Sequence, residues 1–204
     1  MNRIEAEKEL CMIIKKTNAL EFGAFKLSSG RTTPYYLDLR VIPSFPEAFH
    51  RVVDILRDAI IEDLGVDSFD RISGIPSAGL PFASLIAYHL NKPFLYTRQN
   101  IRLRGRERRV EGILMPGDRV LLVDDLVTTG LSLRRAASAI RAEGGVVSDA
   151  YVILDREEGG CKRLENAGIK LHCIIKISSV AETLYEIGAV DEDQLKILLK
   201  QVRK

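Results

Sequence analysis

Two adjacent aspartates, Asp124 and Asp125, follow the apolar run 120–123, and Thr128, Thr129 and Gly130 come next, just before a helical pattern that begins at Leu131. This order has a direct chemical use. A buried strand that delivers two carboxylates to its exposed end presents hydrogen-bond acceptors for vicinal hydroxyls. The loop that follows offers backbone N–H groups, two hydroxyls and a helix N-terminus, a set suited to a phosphate. Gly130 lets the backbone approach such a group closely. The competing reading is a helix cap by Asp125 or Thr129 with the other carboxylate solvated, which accounts for one residue where the pattern holds five. No Gly-Lys-Ser/Thr follows a glycine-rich run, so this is not a Walker A loop.

The second chemical feature is cationic. Arg98, Arg102, Arg104, Arg106, Arg108 and Arg109 place six arginines in twelve residues, with Gly105 inside the run and Gly112 just after it. Taken alone, such a run is a solvated face or an RNA-binding segment. Its place after a core strand, opposite the phosphate loop, favours a lid. The histidines, His50, His89 and His172, have no spacing suited to a metal or a nucleophilic triad, and ordinary packing or surface roles are expected of them.

The elements that position these residues can be read from periodicity. Ile4, Leu10, Ile13, Ile14 and Leu20 recur at helical spacing and predict an amphipathic N-terminal helix that ends before Gly23. Residues 25–39 alternate apolar and polar, with Ser28-Ser29-Gly30 and Pro34 as turn signals, and predict two short strands. A helix starts at Pro46 and closes at Gly65. Short apolar runs at 71–75, 93–96, 119–123, 150–154 and 171–177 then alternate with helical stretches at 80–90, 131–143 and 161–167, and two helices follow at 180–187 and 191–202. Strand and helix in alternation, with nearly continuous Val/Ile/Leu strands, predict an α/β fold whose parallel sheet is covered on both faces. Ligands of such sheets bind beyond the carboxyl ends of the strands.

Composition sets the outer limits. The 204 residues carry 30 basic and 28 acidic side chains, a net charge of +2, and 46% are hydrophobic. That excludes a disordered polyanion or a generally basic nucleic-acid coat, and a nucleic-acid partner is not expected. One domain is expected over residues 1–204, with an N-terminal helix and hood strands to about 45 and the core beyond. Cys11, Cys161 and Cys173 form no C-x-x-C pair, which points to a reduced, cytoplasmic protein without a disulfide framework. The N-terminus lacks the apolar core of a signal peptide. Residues 72–91 carry no side chain charged at pH 7, but Gly74, Pro76, Gly79 and Pro81 argue for strand, turn and helix rather than a membrane span.

The 119–140 segment resembles the signature of the type I phosphoribosyltransferases, which bind 5-phosphoribosyl 1-diphosphate (PRPP). The segment 22–40, FGAFKLSSGRTTPYYLDLR, resembles the N-terminal motif of the orotate-specific branch. The likeness continues through 74–83, 93–98 and 154–160 and covers nearly all of the chain from about residue 20. It implies the type I phosphoribosyltransferase fold, with a small N-terminal hood on the sheet core. It also implies transfer of phosphoribosyl from PRPP to orotate, giving orotidine 5-phosphate and diphosphate for de novo pyrimidine (UMP) synthesis.

By position, the resemblance assigns Asp124 and Asp125 to the ribose hydroxyls and Leu126, Val127, Thr128, Thr129, Gly130, Leu131 and Ser132 to the 5-phosphate. It assigns Arg98, Arg102 and Arg104 to the diphosphate, and Arg156 with Thr128 to orotate. Arg102, Asp124 and Asp125 are the expected catalytic residues. A planar guanidinium pairs with carboxylate or ring carbonyl in a forked geometry, whereas a surface ion pair with Glu157 or Glu158 is the alternative role of Arg156. The loop 74–81 would face the diphosphate, although Gly74 and Gly79 equally serve as turn residues. Mg²⁺ bound mainly through PRPP and a homodimer whose lids act in trans are also implied. The lid departs from the usual Arg-Lys-x-x-Lys-x-His-Gly: this chain keeps Arg98 and Gly105 but has Gln99, Arg102 and Arg104 where two lysines and the histidine stand. Transfer to another base, or a PRPP-binding regulatory paralogue, are the alternatives that the altered lid leaves open.

Overall fold

Local signals account for most element boundaries in the computed structural model, which describes residues 2–26, 32–98 and 109–202. Helix α1 (Arg3–Lys16) opens on a capping box, in which Asn2 Oδ1 accepts the Glu5 N–H at 2.9 Å and Glu5 Oε2 accepts the Asn2 N–H at 3.2 Å. It does not reach Leu20. The Thr17 hydroxyl donates back to the Ile13 carbonyl at 2.8 Å, Asn18 takes a left-handed φ of 53°, and Leu20 starts a strand instead.

Strand β1 (Leu20–Lys26) pairs antiparallel with β2 (Thr32–Leu37) to form the hood hairpin. Pro34, expected in a turn, lies inside β2 where the register shifts between Phe22 and Phe25, so its missing N–H breaks no regular ladder bond. The turn expected at 28–30 lies outside the described residues. Leu39, expected in the second strand, instead opens a 3₁₀ turn (Leu39–Ser44) capped by Asp38, whose Oδ1 accepts the Arg40 N–H at 3.0 Å. Helix α2 (Pro46–Leu64) has proline in its first turn and ends at Gly65, φ 76°, as its sequence signals require.

Among the described residues six strands make the main sheet: β3 (Arg71–Gly74), β4 (Phe94–Thr97), β5 (Val110–Glu111), β6 (Val120–Val127), β7 (Asp149–Asp155) and β8 (Lys170–Lys176). Their order is β5-β4-β3-β6-β7-β8, with β5 antiparallel to β4 and the other pairs parallel. Helices α3 (Gly79–His89), α4 (Leu131–Ala142) and α5 (Gly160–Glu165) connect the parallel strands, and α6 (Ile177–Glu186) and α7 (Glu192–Val202) follow. Along β6, Leu121 and Val123 join one buried cluster with α1, α2, α3 and α6, while Val120 and Leu122 join the other with α4. Burial on both faces explains the unbroken apolar run. Residues 72–91 become β3, a loop and α3, and no described helix is long and apolar enough to cross a membrane.

Strand order also fixes where a ligand can enter. From β3 the chain proceeds outward through β4, whereas from β6 it proceeds the other way through β7 and β8. The adjacent carboxyl ends of β3 and β6 therefore form the switch-point crevice of the sheet.

Candidate active site

Strand β6 runs on to Val127 because β7 pairs with it up to Asp155, so the two aspartates stand within the strand rather than at an exposed end. Each residue is only 7% exposed. Asp124 Oδ1 accepts the Asp125 N–H at 2.9 Å. Burial, followed by the charge of Asp125, pushes the Asp124 carboxyl well above the usual carboxylate range. Burial raises Asp125 too, partly offset by the Asp124 side chain, nearby backbone N–H groups and the Arg40 guanidinium. Two desolvated carboxylates side by side are costly to ionise, and hydroxyl donors from a ligand would relieve that cost.

The loop after β3 lies against this pair. A Cβ on Gly79 would sit 2.7 Å from Asp124 Oδ1 and 2.8 Å from both Asp124 Cα and Val123 O, so only glycine lets α3 start here. Gly79 is thus more than a turn residue. The Ile75 N–H bonds to the Val123 carbonyl at 3.1 Å and the Gly79 N–H to the Ile75 carbonyl at 3.0 Å, which fastens residues 75–79 to the end of β6.

After β6 the chain turns through Thr128, half-buried, and Thr129, exposed, to Gly130, which has φ 73° and begins α4 with no side-chain cap. Neither Asp125 nor Thr129 caps the helix, so the capping alternative is not what the chain adopts. Leu131 and Ser132 are exposed in the first turn of α4. Gly160 holds the loop from the other side, where a Cβ would lie 2.6 Å from the Thr128 carbonyl oxygen. Leu126 and Val127 belong to β6 itself, and their side chains pack inward. They can serve a phosphate through the backbone alone.

Arg156 leaves the carboxyl end of β7, with its N–H bonded to the Val127 carbonyl at 3.0 Å. Its guanidinium pairs with Glu158 at 2.9 Å, but with side chains 12% and 30% exposed this is no surface pair. The following turn is closely tied. Asp155 Oδ1 accepts the Glu157 N–H at 2.8 Å, Glu157 holds φ 54°, and its Oε2 accepts the Ser178 N–H at 3.0 Å at the start of α6.

Arg98 forms an ion pair with Glu111, and its N–H bonds to the Arg109 carbonyl at 2.9 Å. The β4–β5 pairing thereby brings together the two ends of the 99–108 segment. Arg102, Arg104, Arg106 and Arg108 lie outside the described residues. Beside these ends is a cleft of about 750 Å³ whose walls include Ile75, Pro76, Arg98, Arg109, Ser132 and Arg135. It touches the loop after β3 and the start of α4, but neither aspartate lines it.

Sequence reasoning missed a second cation near the carboxylates. Arg40 donates from Nε to Asp38 Oδ1 at 2.6 Å, and from Nη2 to Asp38 Oδ2 at 2.8 Å and the Tyr36 hydroxyl at 2.6 Å. This fork fixes a guanidinium whose charge reaches Asp125. The signal was the Asp38-Leu39-Arg40 ending of the hood motif. Gly160, Asp155 and Glu157 were missed as well, because their roles depend on neighbours supplied by other elements.

Comparison with known proteins agrees with this geometry. The family model described as the phosphoribosyl transferase domain matches residues 47–185. The orotate phosphoribosyltransferase of Cenarchaeum symbiosum is 42% identical over 183 residues, 90% of this chain and 92% of that protein. That of Sulfolobus acidocaldarius is 41% identical over 179 residues, 88% of each. Among solved structures, the orotate phosphoribosyltransferase of Aeropyrum pernix superposes with a TM-score of 0.74 at 31% identity, covering 88% of this chain and 99% of that one. Matched by the family model over residues 47–185, and in sequence over nine-tenths of its length, the chain belongs to the orotate phosphoribosyltransferases of the type I phosphoribosyltransferase family.

Proposed function

We propose that the chain transfers the 5-phosphoribosyl group of PRPP to orotate, yielding orotidine 5-phosphate and diphosphate. The observation that carries this reading is the buried Asp124–Asp125 pair at the switch point, flush against Gly79 on one side and followed by the Gly130 loop on the other. The names of its relatives support orotate as the acceptor.

In the reaction the C1–O bond of PRPP breaks, the diphosphate leaves with the electron pair, orotate N1 bonds to C1, and the N1 proton is released. The transition state resembles an oxocarbenium ion, so the chain's task is positioning and charge stabilisation. Asp124 and Asp125 accept the 2- and 3-hydroxyls and hold negative charge beneath the developing cation. The backbone of 126–132 takes the 5-phosphate. Thr128 and Arg156 orient orotate, and the charges of Arg98, Arg102 and Arg104 serve to offset that of the departing diphosphate. Because an arginine is a permanent cation in proteins, this lid stabilises charge rather than donating a proton.

Among the described residues no group of three or more His, Cys, Asp or Glu converges as a metal cage. Two adjacent carboxylates fit a Mg²⁺ ion carried chiefly by phosphate oxygens, with Asp124 and Asp125 as the residues that would hold it directly or through water. When bound, the ion neutralises diphosphate charge. We also place the enzyme in the cytoplasm as a homodimer whose lids act across the interface.

The test is an assay of orotate consumption with PRPP and Mg²⁺, run beside uracil, adenine, hypoxanthine and xanthine. Orotate should be consumed with release of diphosphate, and Asp125→Asn should lose most turnover while remaining folded. Turnover of a purine alone would favour the second reading, a different acceptor, to which the altered lid points.

A further inference from the structure

We propose that Tyr35, on the hood strand β2, is the positioning residue for Arg156, so that the hood hairpin sets affinity for the acceptor base rather than for PRPP. The proposal rests on the reading of Arg156 as the group that grips the base. Tyr35 is 1% exposed, and its hydroxyl accepts a hydrogen bond from Arg156 Nη2 at 3.2 Å across 121 residues of sequence. The same guanidinium lies over the Tyr35 ring, 5.2 Å from its centroid. Glu158 pairs with it at 2.9 Å. One aromatic face, one phenol oxygen and one carboxylate therefore hold a side chain that would otherwise sample many rotamers. The backbone beneath is tied by the Val127, Asp155 and Ser178 hydrogen bonds described above.

A guanidinium held in this way loses little freedom when it pairs with a planar ligand, which is the benefit of preorganisation. The groups that hold the guanidinium, Tyr35 and Glu158, belong neither to the Asp124–Asp125 pair nor to the loop of Gly130. Perturbing Tyr35 should thus change one substrate's affinity and leave the other's.

The experiment measures KM for orotate and for PRPP in the full chain for Tyr35→Phe, Tyr35→Leu, Arg156→Ala and the double variant Tyr35→Phe/Arg156→Ala. Tyr35→Phe keeps the ring and removes the oxygen, and should raise the orotate KM by about three- to tenfold, the usual net size of one intramolecular hydrogen bond. Tyr35→Leu removes the ring too and should raise it by roughly a further tenfold. The PRPP KM should stay within about twofold in both, the signature of an interaction made with one substrate only. In the Arg156→Ala background, Tyr35→Phe should add nothing, since residues acting through one group are not additive.

Thermal unfolding of Tyr35→Phe guards against a folding defect. A rise of both KM values together, or full additivity with Arg156→Ala, would show a merely structural role and overturn the proposal. If Arg156→Ala raises the orotate KM while Tyr35→Phe does not, the proposal alone fails. An orotate KM untouched by Arg156→Ala removes the base-site reading and the proposal with it.

Discussion

Asp124 is 7% exposed and shares its site with a second carboxylate, so in the unliganded protein its ionised form costs stability at neutral pH. Asp124→Asn removes that charge with almost no change of shape, and the amide oxygen can still accept the Asp125 N–H that Asp124 Oδ1 accepts at 2.9 Å. The variant should be more stable than the parent at pH 7 by about 1–2 kcal/mol, the usual size of the gain when a functional charge is neutralised. For a chain of this length that is a rise in Tm of roughly 2–8 °C.

The pH dependence has a definite sign. A carboxyl raised by burial binds its proton more tightly folded than unfolded, so parent stability falls as pH rises from the ordinary value of 3.8 through the elevated folded value. Asparagine does not titrate, and the gap in stability should be smallest at the acid end of this window and reach its full size above it. Calorimetry between pH 4 and 8 at constant ionic strength measures the gap. PRPP with Mg²⁺ at a hundred times Kd should add about 2.7 kcal/mol to the parent, and the variant should lose most of this gain together with turnover. A variant less stable than the parent at pH 7, or a gap that does not change with pH, would refute the electrostatic reasoning.

Gly79→Ala would place a Cβ 2.8 Å from two backbone atoms, Asp124 Cα and Val123 O, and should cost about 1–3 kcal/mol in urea unfolding along with a clear loss of turnover. Unchanged stability would mean that α3 shifts freely and that the loop is not fastened to the site. In the lid, Arg102→Ala should reduce kcat far more than Arg108→Ala, and equal effects would make the arginine run a surface patch. Chelation of Mg²⁺ with EDTA should abolish turnover and its re-addition should restore it, as followed by orotate absorbance.

Residues 120–132 announce their backbone in the sequence: apolar β-formers, then acids and hydroxyls, then a glycine that starts a helix. The Pro46 and Gly65 boundaries of α2 and the two-sided burial of β6 are equally local, because periodicity and cap chemistry act over a few residues. Leu20 shows where such signals stop. Its helical spacing holds, but Thr17 and Asn18 end the helix and pairing with Leu37 makes it a strand. Likewise, the depth of Asp124 and Asp125 is set by β7, whose ladder carries β6 two residues past them, and the closeness of Gly79 to Asp124 is set by β3 lying beside β6. The meeting of Tyr35 with Arg156 requires the hood to close over the carboxyl end of the sheet. Sequence thus determined which chemical groups this protein carries and on what local backbone they stand. Tertiary structure decided which of them share a low-dielectric crevice, because distances between remote residues follow from strand order and packing rather than from any pattern along the chain.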